Sequence, residues 1–234
     1  LPFKLKKKLF RKKIKLILLV SSVFFIGILM YKNHDDFFYY HYPYTISLIE
    51  FKKIIGVGNL EHGFRTPSSI FYFNSLFYLP ILEKSLINNG AIFFLIFSNI
   101  LLIQKIFNQL KNRRYNFLLI LSLFSLLFIN TIFYRIAEHG TDRSALILIF
   151  ILAIYYIEGT NKKFNIINFK YYYQKILIII LLIVSLKSFY LIYTIFLLIL
   201  FFEFREIIFK ESLYKKVFFE PVSYYFLFGI IMIM

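Results

Sequence analysis

Two adjacent aspartates, Asp35 and Asp36, follow the first long apolar run of the chain, with His34 before them and Tyr40-His41 after them. A carboxylate at the end of a helix stays hydrated, and two carboxylates can share a divalent cation with water and phosphate oxygens. Alternatively, one of the two has a raised pKa and acts as a general base. A merely solvated helix end is the other interpretation, and the residues alone leave these readings open.

A second group of polar residues lies in the segment 56–69, whose glycines and proline predict a loop that leads into a helix. Thr66 or Ser68 is expected to cap that helix. Arg65, just before the cap, is of the type that binds phosphate or pyrophosphate through its planar fork of N–H groups. A snorkelling arginine at the membrane interface is the alternative.

A third group, in the segment 135–143, contains Glu138 and His139, which we expect to approach the first two groups. Asp142 is predicted to be a helix N-cap. The chain has four histidines but no cysteine and no HExxH pair, which argues against zinc and excludes disulfides and iron–sulfur clusters. No P-loop, GxSxG or kinase motif is present either.

Apolar runs of membrane length separate these polar segments. Of the 234 residues, 60% are hydrophobic and 17% charged, and the mean hydropathy is +0.72. The sequence therefore predicts an all-α, polytopic bundle of transmembrane helices. The predicted spans cover residues 14–31, 89–107, 117–134, 144–157 and 176–202, with a further one beginning near residue 217.

The Lys and Arg residues that give the net charge of +16 lie between the apolar runs rather than on one folded face. We therefore predict contact with the lipid bilayer and no nucleic-acid partner, and the oligomeric state is left open. The positive-inside rule predicts the orientation of the segments. The basic tail 1–13 and residues 109–116, 158–175 and 203–216 are expected in the cytoplasm, and residues 32–88 and 135–143 outside.

Three weaker segments are assigned so that this charge rule holds. Residues 43–55 are amphipathic and predict a helix lying in the membrane interface. Residues 68–82 are apolar but short, and are expected to stay on the outer side as a re-entrant or surface helix. The run 176–202 is interrupted by Lys187-Ser188, so we expect two short helices that meet there; a single span would bury the lysine.

The ends of the sequence suggest a fragment of a longer protein. The first residue is Leu1, and the last apolar run stops at Met234 without a flanking charge. We expect one membrane domain over residues 1–234, with more spans following it in the natural protein.

Short motifs along the chain carry a resemblance to a known family. A basic tail, one helix and an acidic pair that opens a long outer loop with interfacial helices resemble the GT-C superfamily of integral-membrane glycosyltransferases. The chain is similar to a branch of uncharacterised bacterial multi-spanning proteins related to that superfamily. The matching elements are Asp36…Tyr40-His41, Gly58-Asn59…Phe64…Ser68, Thr141-Asp142…Ile149-Phe150 and the helix broken at Lys187-Ser188.

The resemblance implies a GT-C-like fold and transfer of sugar from a polyprenyl-phosphate donor, on the periplasmic face of a bacterial inner membrane. Asp36 or Asp35 would act as the catalytic base, and the two together would be the ligands if Mg²⁺ or Mn²⁺ takes part. Of the two, only Asp36 keeps the branch's spacing to Tyr40 and His41. The residues implied in substrate binding are His34, Tyr40, His41, Arg65, Glu138 and His139. The rival functions are a transporter or flippase of lipid-linked saccharide and a polysaccharide polymerase or ligase.

Overall fold

The computed structural model describes residues 14–24, 36–51, 56–60, 62–65, 68–79, 81, 86–87, 89–132, 141–160, 166–210, 223–225 and 228–229. The regular structure of these residues is helical, which confirms the predicted all-α class. Three of their helices are long and apolar enough to cross a membrane, in agreement with the predicted membrane protein. These candidate spans are Asn89–Lys111, Thr141–Thr160 and Phe169–Leu186.

The described α-helices are labelled in chain order. They are α1 (Ile14–Phe24), α2 (Tyr42–Glu50), α3 (Ser69–Ser75), α4 (Asn89–Lys111), α5 (Phe117–Ile132), α6 (Thr141–Thr160), α7 (Ile166–Leu186), α8 (Ile195–Glu203) and α9 (Arg205–Lys210). A π-turn over Phe37–His41 precedes α2, and 3₁₀ helices cover Val57–Asn59, His62–Arg65 and Ser188–Thr194. The remainder of the predicted run 14–31 and most of the run from residue 217 lie outside the described residues.

Contacts between residues divide the chain into two compact units. Unit 1 comprises Leu1–Tyr115 and Ser122–Gly140, and unit 2 comprises Asn116–Leu121 and Thr141–Met234. Each has its own fully buried apolar side chains, among them Ile70, Phe71, Leu95 and Leu102 in unit 1, and Leu152, Ile154, Ile176 and Ile180 in unit 2. The single membrane domain expected over the whole chain stays a prediction.

In unit 1, α2 packs on α3 and α3 packs on α4. Helix α3 begins at the predicted cap, since the Ser68 hydroxyl accepts a hydrogen bond from the Ile70 amide at 3.4 Å. Its seven residues measure roughly 10 Å, too short to cross a membrane, as predicted for the segment 68–82. The Asn74 side chain then accepts a hydrogen bond from the Gly90 amide at 3.0 Å, which caps the first turn of α4.

Helix α2 covers less of the chain than the predicted amphipathic helix 43–55, because Phe51 is extended and ends it; residues 52–55 lie outside the described residues. Its buried side chains are Tyr44 and Thr45. The face expected to enter the interface, with Ile46 and Ile49, is only half-buried.

Helices α4 and α5 are joined by a pair of asparagines. Asn99 donates to the Asn130 side-chain oxygen at 3.3 Å, and Asn130 donates to that of Asn99 at 2.8 Å. Each amide also donates to the backbone carbonyl four residues earlier in its own helix, Leu95 at 2.9 Å and Leu126 at 2.7 Å. All four side-chain N–H groups are therefore used, which is what a polar pair between apolar helices requires.

In unit 2, α6 and α7 pack closely against each other along antiparallel paths. At one end Asp142 faces Lys187, and at the other a Cβ on Gly159 would lie 3.2 Å from the Tyr172 ring. Helix α6 begins at Thr141, earlier than the predicted residue 144. Asp142 is therefore in the first turn of the helix, so its assignment as the N-cap was wrong.

The predicted break at Lys187-Ser188 is confirmed. Lys187 is extended, with φ −152° and ψ 110°, and a 3₁₀ helix follows it. The chain then reverses, because the Phe204 ring after α8 lies 5.1 Å from the Phe169 ring near the start of α7. The first arm is longer than expected: α7 begins at Ile166, so most of the connection 158–175 is helical rather than loop.

Candidate functional site

The predicted Asp36–His41 segment forms a π-turn at the head of α2. The Tyr42 amide donates to the Phe37 carbonyl, five residues back. Pro43 gives the reason, because it has no N–H and its ring clashes with the carbonyl four residues earlier in a regular α-helix. The wider turn absorbs that conflict. Turns of this kind are frequent at functional sites, and this one carries Asp36 at its start and Tyr40 and His41 at its end.

His41 lies inside this part of unit 1, with only 2% of its surface exposed. Its ring lies 4.0 Å from that of Tyr40 and 5.1 Å from that of Phe71 in α3, measured between ring centroids. The Thr45 hydroxyl donates to the His41 carbonyl at 2.8 Å. A histidine held this firmly suits a role in positioning its neighbours better than direct contact with a large substrate.

Tyr44 extends the aromatic packing by one turn. Its ring lies 5.2 Å from Phe64 and 5.1 Å from Phe71. Burial raises the pKa of Tyr44, and a hydrogen bond with Tyr72 raises it further, so the phenol stays neutral at physiological pH. We call Tyr40, His41, Tyr44, Phe64 and Phe71 the aromatic cluster; it joins the π-turn, α3 and the 3₁₀ helix His62–Arg65.

Gly63 is the closest point of approach between the π-turn and that 3₁₀ helix. A Cβ atom on Gly63 would lie 2.6 Å from the Cβ of Tyr40, closer than real side chains come. Only glycine allows the backbone to pass over the Tyr40 side chain at this distance. Gly63 was not predicted as a site residue, because the constraint acts between segments more than twenty residues apart.

Arg65 lies at the end of the same 3₁₀ helix, and one edge of its guanidinium group is held by a hydrogen bond. Its Nε donates to the Gly58 carbonyl at 3.2 Å, and its side chain is exposed. Within the described residues no ion pair or second hydrogen bond of this guanidinium is present. The two Nη groups therefore present a fork to solvent, the geometry that binds a phosphate with two parallel hydrogen bonds.

Four of the predicted site residues, Asp36, Tyr40, His41 and Arg65, belong to this one assembly. Asp36 is half-buried at the start of the π-turn, and the π-turn contacts the 3₁₀ helix that ends with Arg65. The other four lie outside the described residues, so their approach stays a prediction; they are His34, Asp35, Glu138 and His139.

The predicted Mg²⁺ or Mn²⁺ site depends on Asp35 together with Asp36, and only Asp36 is described. Among the described residues no group of three or more His, Asp or Glu side chains is arranged to hold a metal ion. Because Asp35 lies outside the described residues, the predicted Mg²⁺ or Mn²⁺ site stays a prediction.

A separate polar pair lies in unit 2. The Lys187 ammonium is 3.1 Å and 3.2 Å from the two carboxylate oxygens of Asp142, which ties the start of α6 to the break after α7. The prediction put Asp142 in the outer segment 135–143, and the predicted hairpin with both flanks in the cytoplasm implies the same side for Lys187, but the ion pair was not predicted. The sequence did offer one indication of this ion pair, since both residues were predicted to lie at helix ends on the same side of the membrane.

Comparison with known proteins places the whole chain in one family. The family model described as a domain of unknown function (DUF8201) matches residues 2–234, so the chain belongs to that family. No curated protein and no solved structure matches the chain.

Proposed function

We propose that this member of the DUF8201 family is an integral-membrane glycosyltransferase of GT-C-like fold. It would use a polyprenyl-phosphate-linked sugar on the outer, periplasmic face of a bacterial inner membrane. The observation that carries the proposal is that one compact assembly contains both a carboxylate at a π-turn and an arginine whose Nη groups have no hydrogen-bond partner among the described residues. Glycosyl transfer from a lipid phosphate needs both groups: a base for the acceptor and a cation for the leaving group.

In the proposed reaction the acceptor hydroxyl oxygen bonds to the anomeric carbon of the donor sugar and gives its proton to the Asp36 carboxylate. The bond from that carbon to the phosphate oxygen breaks, and its electron pair leaves with the polyprenyl phosphate. The Nη groups of Arg65 stabilise the charge that develops on the leaving phosphate. Because Gly58 already holds Nε, little side-chain freedom remains to be lost when the phosphate binds.

The aromatic cluster supports the geometry of this site. Tyr40 and His41 fix the end of the π-turn, and Gly63 brings the arginine-bearing 3₁₀ helix against it. The short motifs behind the resemblance coincide with these contacts, since Gly58 lies against Arg65 and Ser68 caps α3. His34, Asp35, Glu138 and His139 complete the proposed substrate site.

Replacement of Asp36 tests the proposal. In membranes of cells that make the full-length protein, Asp36→Asn is expected to lower sugar transfer by at least a hundredfold, because a general base contributes about 10²–10⁴ to the rate. Mass spectrometry of extracted lipids should show the polyprenyl-phosphate sugar accumulating while the protein remains inserted. Glu50→Gln, which neutralises an exposed carboxylate at the end of α2, is the matched control and should leave transfer unchanged.

Wild-type transfer in Asp36→Asn would contradict the assignment of the base. Arg65→Lys keeps the charge but loses the fork, so it should weaken donor use while Arg65→Gln abolishes it. Equal, full activity in both arginine variants would contradict the phosphate-binding role.

A transporter or flippase of lipid-linked saccharide is the second candidate, favoured by the helix broken at Lys187 and its ion pair with Asp142. Discontinuous helices with charged residues are common in transporters. In a Lys187→Met strain, a transporter would let lipid-linked sugar accumulate in the cytoplasmic leaflet while sugar transfer in vitro stays intact. That result would favour a transporter over a glycosyltransferase.

A further inference from the structure

The turn that follows α4 is held in a conformation that its residue type does not favour. Arg113 has φ +51°, the left-handed region in which a Cβ atom is crowded by the backbone. The Arg113 amide donates to the Leu110 carbonyl at 3.0 Å, and the Arg114 amide donates to the Gln109 carbonyl at 2.9 Å. These two bonds form a Schellman motif, in which the left-handed position is usually glycine.

The same turn concentrates positive charge. Lys111, Arg113 and Arg114 are all exposed, and none of them forms an ion pair within the described residues. The sequence has no aspartate or glutamate between Glu83 and Glu138, so no acidic neighbour along the chain offsets these three charges. An anion from outside the protein is therefore the natural counter-charge.

The turn also lies where a membrane surface is expected. It closes α4, one of the candidate spans, and the last turns of that helix expose Phe107 (63%) and Leu110. Tyr115, directly after the basic residues, is 77% exposed. Aromatic side chains next to Lys and Arg at the end of a membrane span are typical of the level of the lipid headgroups.

We propose that residues 111–115 form a binding site for the phosphate groups of anionic phospholipids, and that Arg113 occupies the left-handed position because its cation binds there. Glycine would relieve the backbone crowding but would remove one of three adjacent cations. The exposed apolar residues on the helix side of the turn favour lipid over nucleic acid, since a polynucleotide would leave them in water. The site is independent of the proposed transferase chemistry, which lies elsewhere in unit 1.

Native mass spectrometry of the full chain in detergent, with phosphatidylglycerol or phosphatidylcholine added, tests the proposal. Arg113→Gly and Arg113→Gln should each retain about fivefold less phosphatidylglycerol, because a cation at an anionic surface is worth about that factor. Phosphatidylcholine retention should not change. Arg205→Gln, which removes one exposed cation from α9, is the matched control and should keep wild-type retention.

Thermal unfolding in lipid-free detergent separates the lipid effect from damage to the fold. Arg113→Gly should unfold at the same or a higher temperature than the wild type, because glycine suits the left-handed position. A lower unfolding temperature, or wild-type retention of phosphatidylglycerol in both Arg113 variants, would overturn the proposal. So would an equal loss in Arg205→Gln, or displacement of the lipid by inorganic phosphate at equal concentration.

Discussion

At the scale of single residues, the closest contact between distant segments of the candidate site is made by a glycine. Gly63 lies over Tyr40, and Tyr40 in turn lies against His41. The position of the arginine-bearing 3₁₀ helix thus requires that residue 63 has no side chain. The nearby Gly58 is different, because a Cβ atom there would make an ordinary contact of 3.4 Å with the Arg65 side chain.

We therefore expect Gly63→Ala to destabilise unit 1 by about 1–3 kcal/mol, the usual cost of forcing extra volume into a packed site. Gly58→Ala should cost much less. Thermal unfolding of the two variants in the same detergent compares them directly. If Gly63→Ala and Gly58→Ala unfold alike, the close approach to Tyr40 is not a constraint on the fold.

Local spacing predicted part of this site. Asp36, Tyr40 and His41 were found because they share one short segment, and the Ser68 cap follows from residue type. Sequence could not show that His41 is buried or that the Gly58 carbonyl holds Arg65, because both depend on how separate segments pack. The π-turn was not predicted, because the amphipathic helix was expected to begin at residue 43, and a proline at the first position of a helix gives no sign of a wider turn before it.

At the scale of elements, the asparagine pair is the main polar connection described between α4 and α5. Asn99 is 4% exposed and lies on the buried stripe of α4, whereas the rest of that stripe is mostly apolar. In an apolar environment, loss of one partner leaves the other amide without its hydrogen bonds between the helices, although its bond to the carbonyl of its own helix remains. The pair was not predicted, since single asparagines in two apolar runs give no sign of facing each other.

A double-mutant cycle with Asn99→Leu and Asn130→Leu should give a coupling energy of about 0.6–1.7 kcal/mol, the range for hydrogen bonds between membrane helices. Each single variant should be less stable than the wild type. The double variant should lose less free energy of unfolding than the sum of the losses in the two single variants. Unfolding in mixed micelles with a denaturing detergent measures all four proteins. Strict additivity would show that the two amides do not stabilise each other.

The hairpin of unit 2 shows which helix boundaries are readable from sequence. The break at Lys187 was predicted because a lysine within a long apolar run is costly in lipid. The start of α7 was not, since residues 166–175 are rich in tyrosine and lysine and read as a connection. They are helical because they pack on α6, where Tyr172 lies against Gly159 and the Lys175 ammonium lies 4.5 Å from the centre of the Tyr155 ring.

At the scale of the whole molecule, unit 2 brings together the segments that are expected on the same side of the membrane. Asp142 and Lys187, both expected outside, form an ion pair, and the ends of α6 and α7 expected inside also meet. The orientation itself stays a prediction, because positive charge rather than packing determines it.

Cysteine labelling can test the orientation cleanly because the chain contains no cysteine. A membrane-impermeant maleimide should label Ser188→Cys in intact cells, and should label Asn112→Cys only after the membrane is opened. Each variant is the control for the other, and both positions are exposed. Labelling of position 112 from outside would contradict the predicted orientation. It would also contradict the location of the proposed site on the outer face.

The bond from the Gly90 amide to the Asn74 side chain also has a consequence for the order of synthesis. Asn74 leaves the ribosome sixteen residues before Gly90, so α3 is made without the partner that fixes it. The hydrogen bond that ties α3 of this assembly to α4 can therefore form only after the first turn of α4 has been made. During biogenesis this side of the assembly is completed by a membrane helix that follows it in the chain.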